Sequence, residues 1–158
     1  MKFTAKDDIE ADLSAVFRHV TDFASFERSI MRRGGDVQRL TPGDTPQVGM
    51  SWRVKFRLRG KERDVTAHLT EFDAPNGLVA KLTSKNLDAV TTVELVALSR
   101  VRTRLIVTID ASPKTLAAKL LFQSMRFGKS RVQNRFQSMV TAFARDIEKA
   151  EKPSVSLR

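Results

Sequence analysis

The sequence has no cysteine and no tyrosine, and it has one tryptophan and two histidines among its 158 residues. Without cysteine, disulfide bonds, thiolate zinc sites and cysteine nucleophiles are all excluded. Two isolated histidines do not supply the ligand set of a zinc site. We therefore expect neither a bound metal nor another cofactor.

Long apolar runs are also missing. No stretch approaches the ~20 consecutive apolar residues of a membrane-spanning helix. Acidic residues, Asp7 and Asp8, stand where a signal peptide needs an apolar run. These features predict a soluble, cytoplasmic protein. The length suits one domain, which we place at residues 1–151, with a flexible tail at 152–158 that contains Pro153.

Basic residues outnumber acidic ones by 28 to 18, which gives a net charge of +10. Two segments carry much of this excess. They are Lys114, Lys119, Arg126, Lys129, Arg131, Arg135 and Arg145, and then Arg53, Lys55, Arg57, Arg59, Lys61 and Arg63. Solvated faces explain both clusters, and attraction to an anionic membrane or an acidic partner is the sharper alternative. Nucleic acid is not expected, because no groove-entering motif or aromatic stacking series accompanies the charge.

The first third of the chain alternates loosely over residues 3–10 and then adopts helical spacing. Asp12 is expected to cap a first helix that carries Leu13, Val16, Phe17 and Val20 on one face. Asp22 is expected to cap a second helix, and Gly34-Gly35 ends it. The spacing therefore predicts two short helices in series over 12–31.

Between 36 and 111 the period of the hydrophobic pattern becomes two. The clearest strand places Trp52, Val54, Phe56 and Leu58 on one face and basic residues on the other. Gly60 closes a hairpin, and Asp73-Ala74-Pro75-Asn76-Gly77 forms a turn in which Gly77 is free to take positive φ. The pattern predicts about seven strands joined by hairpins, and therefore an antiparallel sheet.

The C-terminal part is predicted to be a long helix over 114–150, with Ser112 as its N-cap and Pro113 at its first position. An apolar stripe consists of Met125, Val132, Phe136, Met139, Val140, Phe143 and Ile147. Leu116 and Leu120 fall off this stripe. Either the helix bends, for which Gly128 is a favourable position, or its first turns pack against something else.

The segment Ile9-Glu10-Ala11-Asp12-Leu13-Ser14-Ala15-Val16-Phe17, followed by Val20-Thr21-Asp22-Phe23, resembles the opening of the START/Bet v 1-like (SRPBCC) superfamily. The order of elements and the polar turn at 73–77 resemble its polyketide cyclase/dehydrase-like group of bacterial proteins. The resemblance implies an α+β helix-grip fold, in which a curved antiparallel sheet of about seven strands wraps a long C-terminal helix. It also implies a cavity between sheet and helix that holds lipids, sterols, quinones or polyketides.

The residues expected to line such a cavity are the inward-facing apolar ones. They are Trp52, Val54, Phe56, Leu69, Leu82, Val93, Leu95, Leu105, Val107, Met125, Phe136 and Met139. For each one separately, packing in an ordinary core is the simpler interpretation. Trp52 either donates its indole N–H to a ligand or fills the space as an anchor.

Polar residues suited to catalysis are scarce on the predicted inner face. His68 alternates with Ala67 and Leu69 and so belongs on the outer face, and His19 is expected to be solvated. Glu94 faces inward only if its strand has the reverse register. The pattern favours binding or transport of a hydrophobic small molecule without catalysis. The alternatives are a polyketide cyclase/dehydratase-like enzyme and an adaptor that uses its basic surfaces.

Overall fold

The computed structural model describes residues 1–152, which form one curved sheet and a set of helices on its inner side. The strands of this part are β1 (Lys2–Ile9), β2 (Asp36–Arg39), β3 (Ser51–Leu58), β4 (Lys61–Asp73), β5 (Gly77–Thr83), β6 (Leu87–Ser99) and β7 (Arg102–Pro113). The helices are α1 (Leu13–Val20), α2 (Phe23–Arg32), α3 (Leu116–Ser124) and α4 (Lys129–Glu151). Of the expected tail at 152–158, residues 153–158 lie outside the described residues.

The sheet has the strand order β1-β7-β6-β5-β4-β3-β2, and every neighbouring pair is antiparallel. From β3 onward the strands follow one another through connections of two or three residues, and an eleven-residue segment joins β2 to β3. β1 instead pairs with β7, so the first strand in the chain lies beside the last one, at one edge of the sheet. This arrangement confirms the predicted α+β helix-grip architecture.

The first two helices form where helical spacing predicts them. Val16, Phe17 and Val20 are buried on the inner side of α1. The Asp22 carboxylate accepts a hydrogen bond from the Ser25 backbone N–H at 3.2 Å and so caps α2. Asp12 occupies the N-cap position of α1, but its side chain makes no capping hydrogen bond.

The predicted start of the C-terminal helix at Ser112-Pro113 is wrong. Both residues continue β7, where Ser112 pairs with Asp88 and Pro113 with Leu87. The backbone N–H of Ala111 donates to Met1 at the very start of the chain, so the nitrogen at 113 points beyond the end of β1. Proline is tolerated there because no ladder hydrogen bond is lost. The cap is Thr115, whose hydroxyl accepts from the Ala118 N–H.

The long C-terminal helix bends, as its off-stripe leucines and Gly128 suggested. A 3₁₀ turn over Met125–Phe127 and then Gly128 separate α3 from α4. The second half of α4 is anchored, because Val140, Ala144 and Ile147 are buried and the helix packs mainly against β1. Its first half also lies along β1, where the side-chain amides of Gln133 and Gln137 donate to the backbone carbonyls of Thr4 and Lys6 at 2.8 and 2.9 Å.

The turn over 73–77 is present, but the expected role of Gly77 is wrong. Gly77 is the first residue of β5 and is not in the positive-φ region. It is buried against β6, and a Cβ atom there would clash with the carbonyl oxygen of Val93. Close approach of two backbones, not turn geometry, requires glycine at this position.

Candidate functional site

The inner, concave face of the sheet carries the nine sheet residues that the sequence nominated. Side chains of directly paired residues lie on the same face of a sheet. The ladders connect Trp52 to Ala67 and then Leu82, and they connect Leu95 to Leu105 and Val93 to Val107. Val54, Phe56 and Leu69 share the face through period-two spacing along β3 and β4. Pattern reasoning therefore placed Trp52, Val54, Phe56, Leu69, Leu82, Val93, Leu95, Leu105 and Val107 on one face correctly.

Burial divides these nine residues into two groups. Four are buried in the core, namely Trp52, Leu69, Leu95 and Leu105. The other five remain only half-buried, namely Val54, Phe56, Leu82, Val93 and Val107. Because inward-facing side chains on central strands are normally covered, this partial exposure marks accessible space above the sheet.

The three nominated residues of the C-terminal segment differ in placement. Met125 is half-buried in the 3₁₀ turn, and Phe136 is half-buried and packs against the core from α4. Met139 is 58% exposed and is not part of the core cluster. It lies at the margin of the apolar stripe, whose centre is held by Val140 and Ile147. Phe136 is less buried than a fully gripped helix requires, although Gln133 and Gln137 hold this part of α4 on β1.

Trp52 is a structural anchor. Its ring meets the Phe23 ring of α2 edge-to-face, with centroids 5.0 Å apart. The side chain is 9% exposed and belongs to the buried core. Of the two roles that the sequence left open, packing is the one that the structure supports.

One polar residue on the concave face was missed. Arg63 lies directly opposite Phe56 in the β3–β4 ladder, so its side chain is on the inner face. The residue is half-buried, and its Nε is buried without a hydrogen-bond partner in residues 1–152. Period-two spacing from Val65 would have found it. The charge pattern alone instead groups Arg63 with its neighbours in one basic cluster on the hairpin.

A second inner-side arginine has a different environment. Arg39 lies opposite Trp52 and forms ion pairs with Glu27 of α2 and with Asp44. Burial lowers the pKa of Arg39, but its hydrogen bonds to these carboxylates outweigh that effect and raise it. Arg39 therefore joins α2 to the sheet, whereas Arg63 has no such acidic partner in the described part of the chain.

A groove of about 480 Å³ opens where the tip of the β3–β4 hairpin meets the break between α3 and α4. Its walls are Arg59, Met125, Phe127, Gly128, Ser130, Arg131 and Val132. Arg59 directly follows Leu58 on β3, and Val132 lies one helical turn from Phe136 on α4. The groove therefore adjoins the concave face at the end that carries the β3–β4 hairpin tip.

A larger, open concavity of about 590 Å³ lies at the other end and is polar. Arg145 contacts both Asp7 and Glu148 at 2.6 Å, and Arg104 donates to Asp8 at 2.8 Å. Hydrogen bonding from Arg104 holds the pKa of Asp8 below its usual value. Glu148 also accepts the Glu10 backbone N–H at 2.8 Å. These compensated charges hold α4 against β1, which is a structural role.

Neither histidine reaches the concave face. His68 is exposed on the outer face, as alternation predicts, and its Nδ1 lies 2.8 Å from the Ser51 hydroxyl. His19 is not fully solvated as expected, since its Nε2 lies 2.8 Å from the Glu151 carboxylate of α4. Glu94 is exposed on the outer face, between Val93 and Leu95.

The comparisons with known proteins give a fold and no closer relationship. No family model and no curated protein matches the sequence. Solved structures do match at 13% identity: TTHA0849 from Thermus thermophilus has a TM-score of 0.70 and covers 96% of this chain and 100% of its own. The chain has the START/Bet v 1-like fold.

Two further structures support this assignment. The Zhui aromatase/cyclase from Streptomyces sp. R1128 aligns with a TM-score of 0.68, 13% identity and 99% coverage of both chains. Ara h 8.0201 aligns with a TM-score of 0.58 and 13% identity over 93% of this chain and 97% of its own. The START/Bet v 1-like fold is shared by proteins with different activities, so function must be argued from the site.

Proposed function

We propose that this START/Bet v 1-like chain binds or transports a hydrophobic small molecule, such as a lipid, a quinone or a polyketide-like compound. The observation that carries the proposal is the half-exposed apolar surface on the inner face of the central strands. Val54, Phe56, Val93 and Val107 are on the side that should be sealed, yet they remain partly accessible. A ligand that covers them gains roughly 25 cal/mol per Å² of apolar surface removed from water.

The groove beside the hairpin tip is the proposed route of entry. It is lined in part by Met125, which the sequence nominated, and it adjoins the half-covered end of the concave face. Methionine suits such a wall, because its flexible side chain adapts to ligands of irregular shape.

Arg63 is the proposed anchor for a polar or anionic group on the ligand. A buried guanidinium N–H without an acceptor is destabilising, and a carboxylate or carbonyl oxygen would satisfy it. The preferred ligand then has an apolar body over Val54 and Phe56 and a polar head at the hairpin end. Binding of this kind needs no cofactor.

The direct test is to incubate the purified protein with a total lipid extract and to analyse the retained compounds by mass spectrometry. We expect an apolar compound that carries an acidic or carbonyl group. Retention of no lipid, quinone or aromatic compound would contradict the proposal.

The cytoplasmic location stays a prediction, and no helix in residues 1–152 is long and apolar enough to cross a membrane.

A pair of fluorescent probes tests the role of Arg63. 1-Anilinonaphthalene-8-sulfonate carries an anionic group, and N-phenyl-1-naphthylamine is its neutral analogue. Arg63→Met should weaken binding of the sulfonate by about 10–100-fold, since a charge-assisted hydrogen bond contributes about 1.5–3 kcal/mol. Binding of the neutral probe should change little. Arg57→Met, on the outer face of the same hairpin, is the matched control and should affect neither probe.

The alternative function, a polyketide cyclase/dehydratase-like enzyme, gains support from Arg63 and from the likeness to the Zhui aromatase/cyclase. A guanidinium can polarise the carbonyl that an enolate carbon attacks, and the aldol product then loses water. Against it, Asp7 and Glu27, two carboxylates that could otherwise serve as a general base, are each ion-paired with arginine. Loss of water from a poly-β-keto thioester, dependent on Arg63, would favour the enzyme. Retention of the thioester unchanged would favour a binding protein.

A further inference from the structure

Helix α3 exposes an apolar face to solvent. This helix has nine residues, and three of its leucines are exposed: Leu116 by 73%, Leu120 by 57% and Leu121 by 46%. Ala118 is buried and Phe122 is half-buried, so the opposite side of α3 already provides its contact with the body. A surface helix normally turns its polar side outward, and here the outward side is leucine-rich.

Phe127 extends this surface beyond the end of α3. It lies in the 3₁₀ turn and is 96% exposed, the highest value among the large apolar residues described. We call Leu116, Leu120, Leu121 and Phe127 the α3 face. A cluster of exposed large apolar side chains rimmed by polar residues marks a site of interaction with a protein or a membrane.

The charge around the α3 face is of one sign. No acidic residue occurs between Asp110 and Asp146, whereas Lys119, Arg126, Lys129, Arg131 and Arg135 do. The ion pairs formed within residues 1–152 include Lys114 and Arg145 but none of these five cations. The five side chains are exposed, so their charge is available to an anionic partner.

We propose that the α3 face docks onto an anionic lipid bilayer, with Phe127 and Leu120 entering the interface and the five cations contacting lipid headgroups. Apolar side chains set among cations match a membrane surface, which offers both an apolar layer and negative charge. A second copy of this chain fits poorly, since a symmetric contact would bring the two sets of five cations together. A docked molecule also presents the groove to the bilayer, because Phe127 and Arg131 line it; this consequence alone rests on the proposed function.

The test is co-sedimentation with vesicles of phosphatidylcholine alone and of equimolar phosphatidylcholine and phosphatidylglycerol. We expect binding only to the anionic vesicles, weakened by salt. Arg126→Gln with Lys129→Gln should lower the partition coefficient by about 25-fold, since each cation near such a surface contributes about fivefold. Leu120→Ser with Phe127→Ser should lower it by more than about tenfold.

Two control variants use exposed residues elsewhere. Val101→Ser removes an apolar side chain that is 67% exposed in the β6–β7 turn, at the far end of the sheet. Arg57→Gln removes a cation from the outer face of β3. Both should bind like the unmodified protein. In a Phe127→Trp variant, the new indole should be quenched by brominated lipid, and absence of quenching would contradict insertion.

Three results would overturn the proposal. The first is no binding to anionic vesicles at low salt. The second is binding that depends on Arg126 and Lys129 but not on Leu120 and Phe127, which would be surface adsorption without insertion. The third is a dimer in sedimentation equilibrium that Leu120→Ser dissociates, which would assign the α3 face to a second copy. Because the vesicles are tested without added ligand, a negative result here leaves the ligand-retention experiment independent.

Discussion

Gly77 lies against the carbonyl of Val93, at the point where β5 begins beside β6. A Cβ atom at position 77 would clash with that backbone oxygen, and a backbone atom cannot swing aside as a side chain can. The residue is buried and is paired with Glu94 in the ladder. The start of β5 is therefore a place where the sheet itself requires glycine.

Gly77→Ala should destabilise the fold by about 1–3 kcal/mol, the usual range for an overpacked site. Gly128 provides a matched control in the same chain. It has φ of −108°, and a Cβ there would meet its nearest neighbour at 3.9 Å. Gly128→Ala should be neutral or stabilise by about 0.4–1 kcal/mol, because it restricts the unfolded chain. Urea unfolding of both variants measures the difference, and equal free energies of unfolding would refute the clash.

The start of α3 predicts that alanine substitutions at two hydroxyl residues three positions apart will change the free energy of unfolding by different amounts. Thr115 accepts the Ala118 N–H, so Thr115→Ala should cost about 1 kcal/mol of unfolding free energy. Ser112 is exposed in β7 and caps nothing, so Ser112→Ala should lie within about 0.5 kcal/mol of the unmodified protein. Chemical denaturation of the two variants gives the comparison. A larger cost at Ser112 would return the helix start to the sequence-based position.

Ser112-Pro113 shows why local signals alone misplaced this boundary. Serine followed by proline is a strong helix-start pattern, yet β6 is long enough to offer pairing partners as far as Pro113. The tertiary contact outweighed the local preference, and nothing near the dipeptide reveals the length of a strand paired with it. Strand alternation, by contrast, depends on the pleat itself, which is why it placed all nine sheet residues on the correct face.

The candidate site was predictable on the sheet and less so on the helix. A strand has only two faces, so one correct residue fixes the others, and Arg63 could have been found in this way from Val65. A helical wheel shows on which side of a helix a residue lies, but not how far that side is from the sheet. It could not show that α4 leans on β1, nor that Met139 at the margin of the stripe is exposed while Val140 beside it is buried.

Unequal burial along α4 predicts unequal costs for two substitutions on one stripe. Ile147 is 1% exposed near the C-terminal end of α4, so Ile147→Ala should cost about 2–5 kcal/mol through lost burial and a cavity. Phe136 is only half-buried, so Phe136→Ala should cost less, despite the larger side chain removed. Thermal or urea unfolding without ligand tests the order. A greater cost at Phe136 would mean that this side chain is more deeply buried than the structure shows.

The last prediction concerns the ion pair between Asp8 and Arg104 on the outer side of the β1–β7 edge. Hydrogen bonding from Arg104 lowers the pKa of Asp8, and Arg53 lowers that of Asp64 in the same way on another pair of strands. A carboxyl group whose pKa is lower in the folded state contributes stability above its unfolded pKa, and this contribution disappears as the pH falls through the folded pKa. Arg104→Gln should therefore reduce stability at neutral pH, and the difference from the unmodified protein should vanish in acid. Carbon-13 titration of the carboxyl groups checks the cause, since the variant should raise the pKa of Asp8 and leave Asp64 unchanged. Two results would show that Arg104 acts through packing and not through charge. One is an unchanged pKa of Asp8 in the variant, and the other is a stability difference that persists below both the folded-state and the unfolded-state pKa of Asp8.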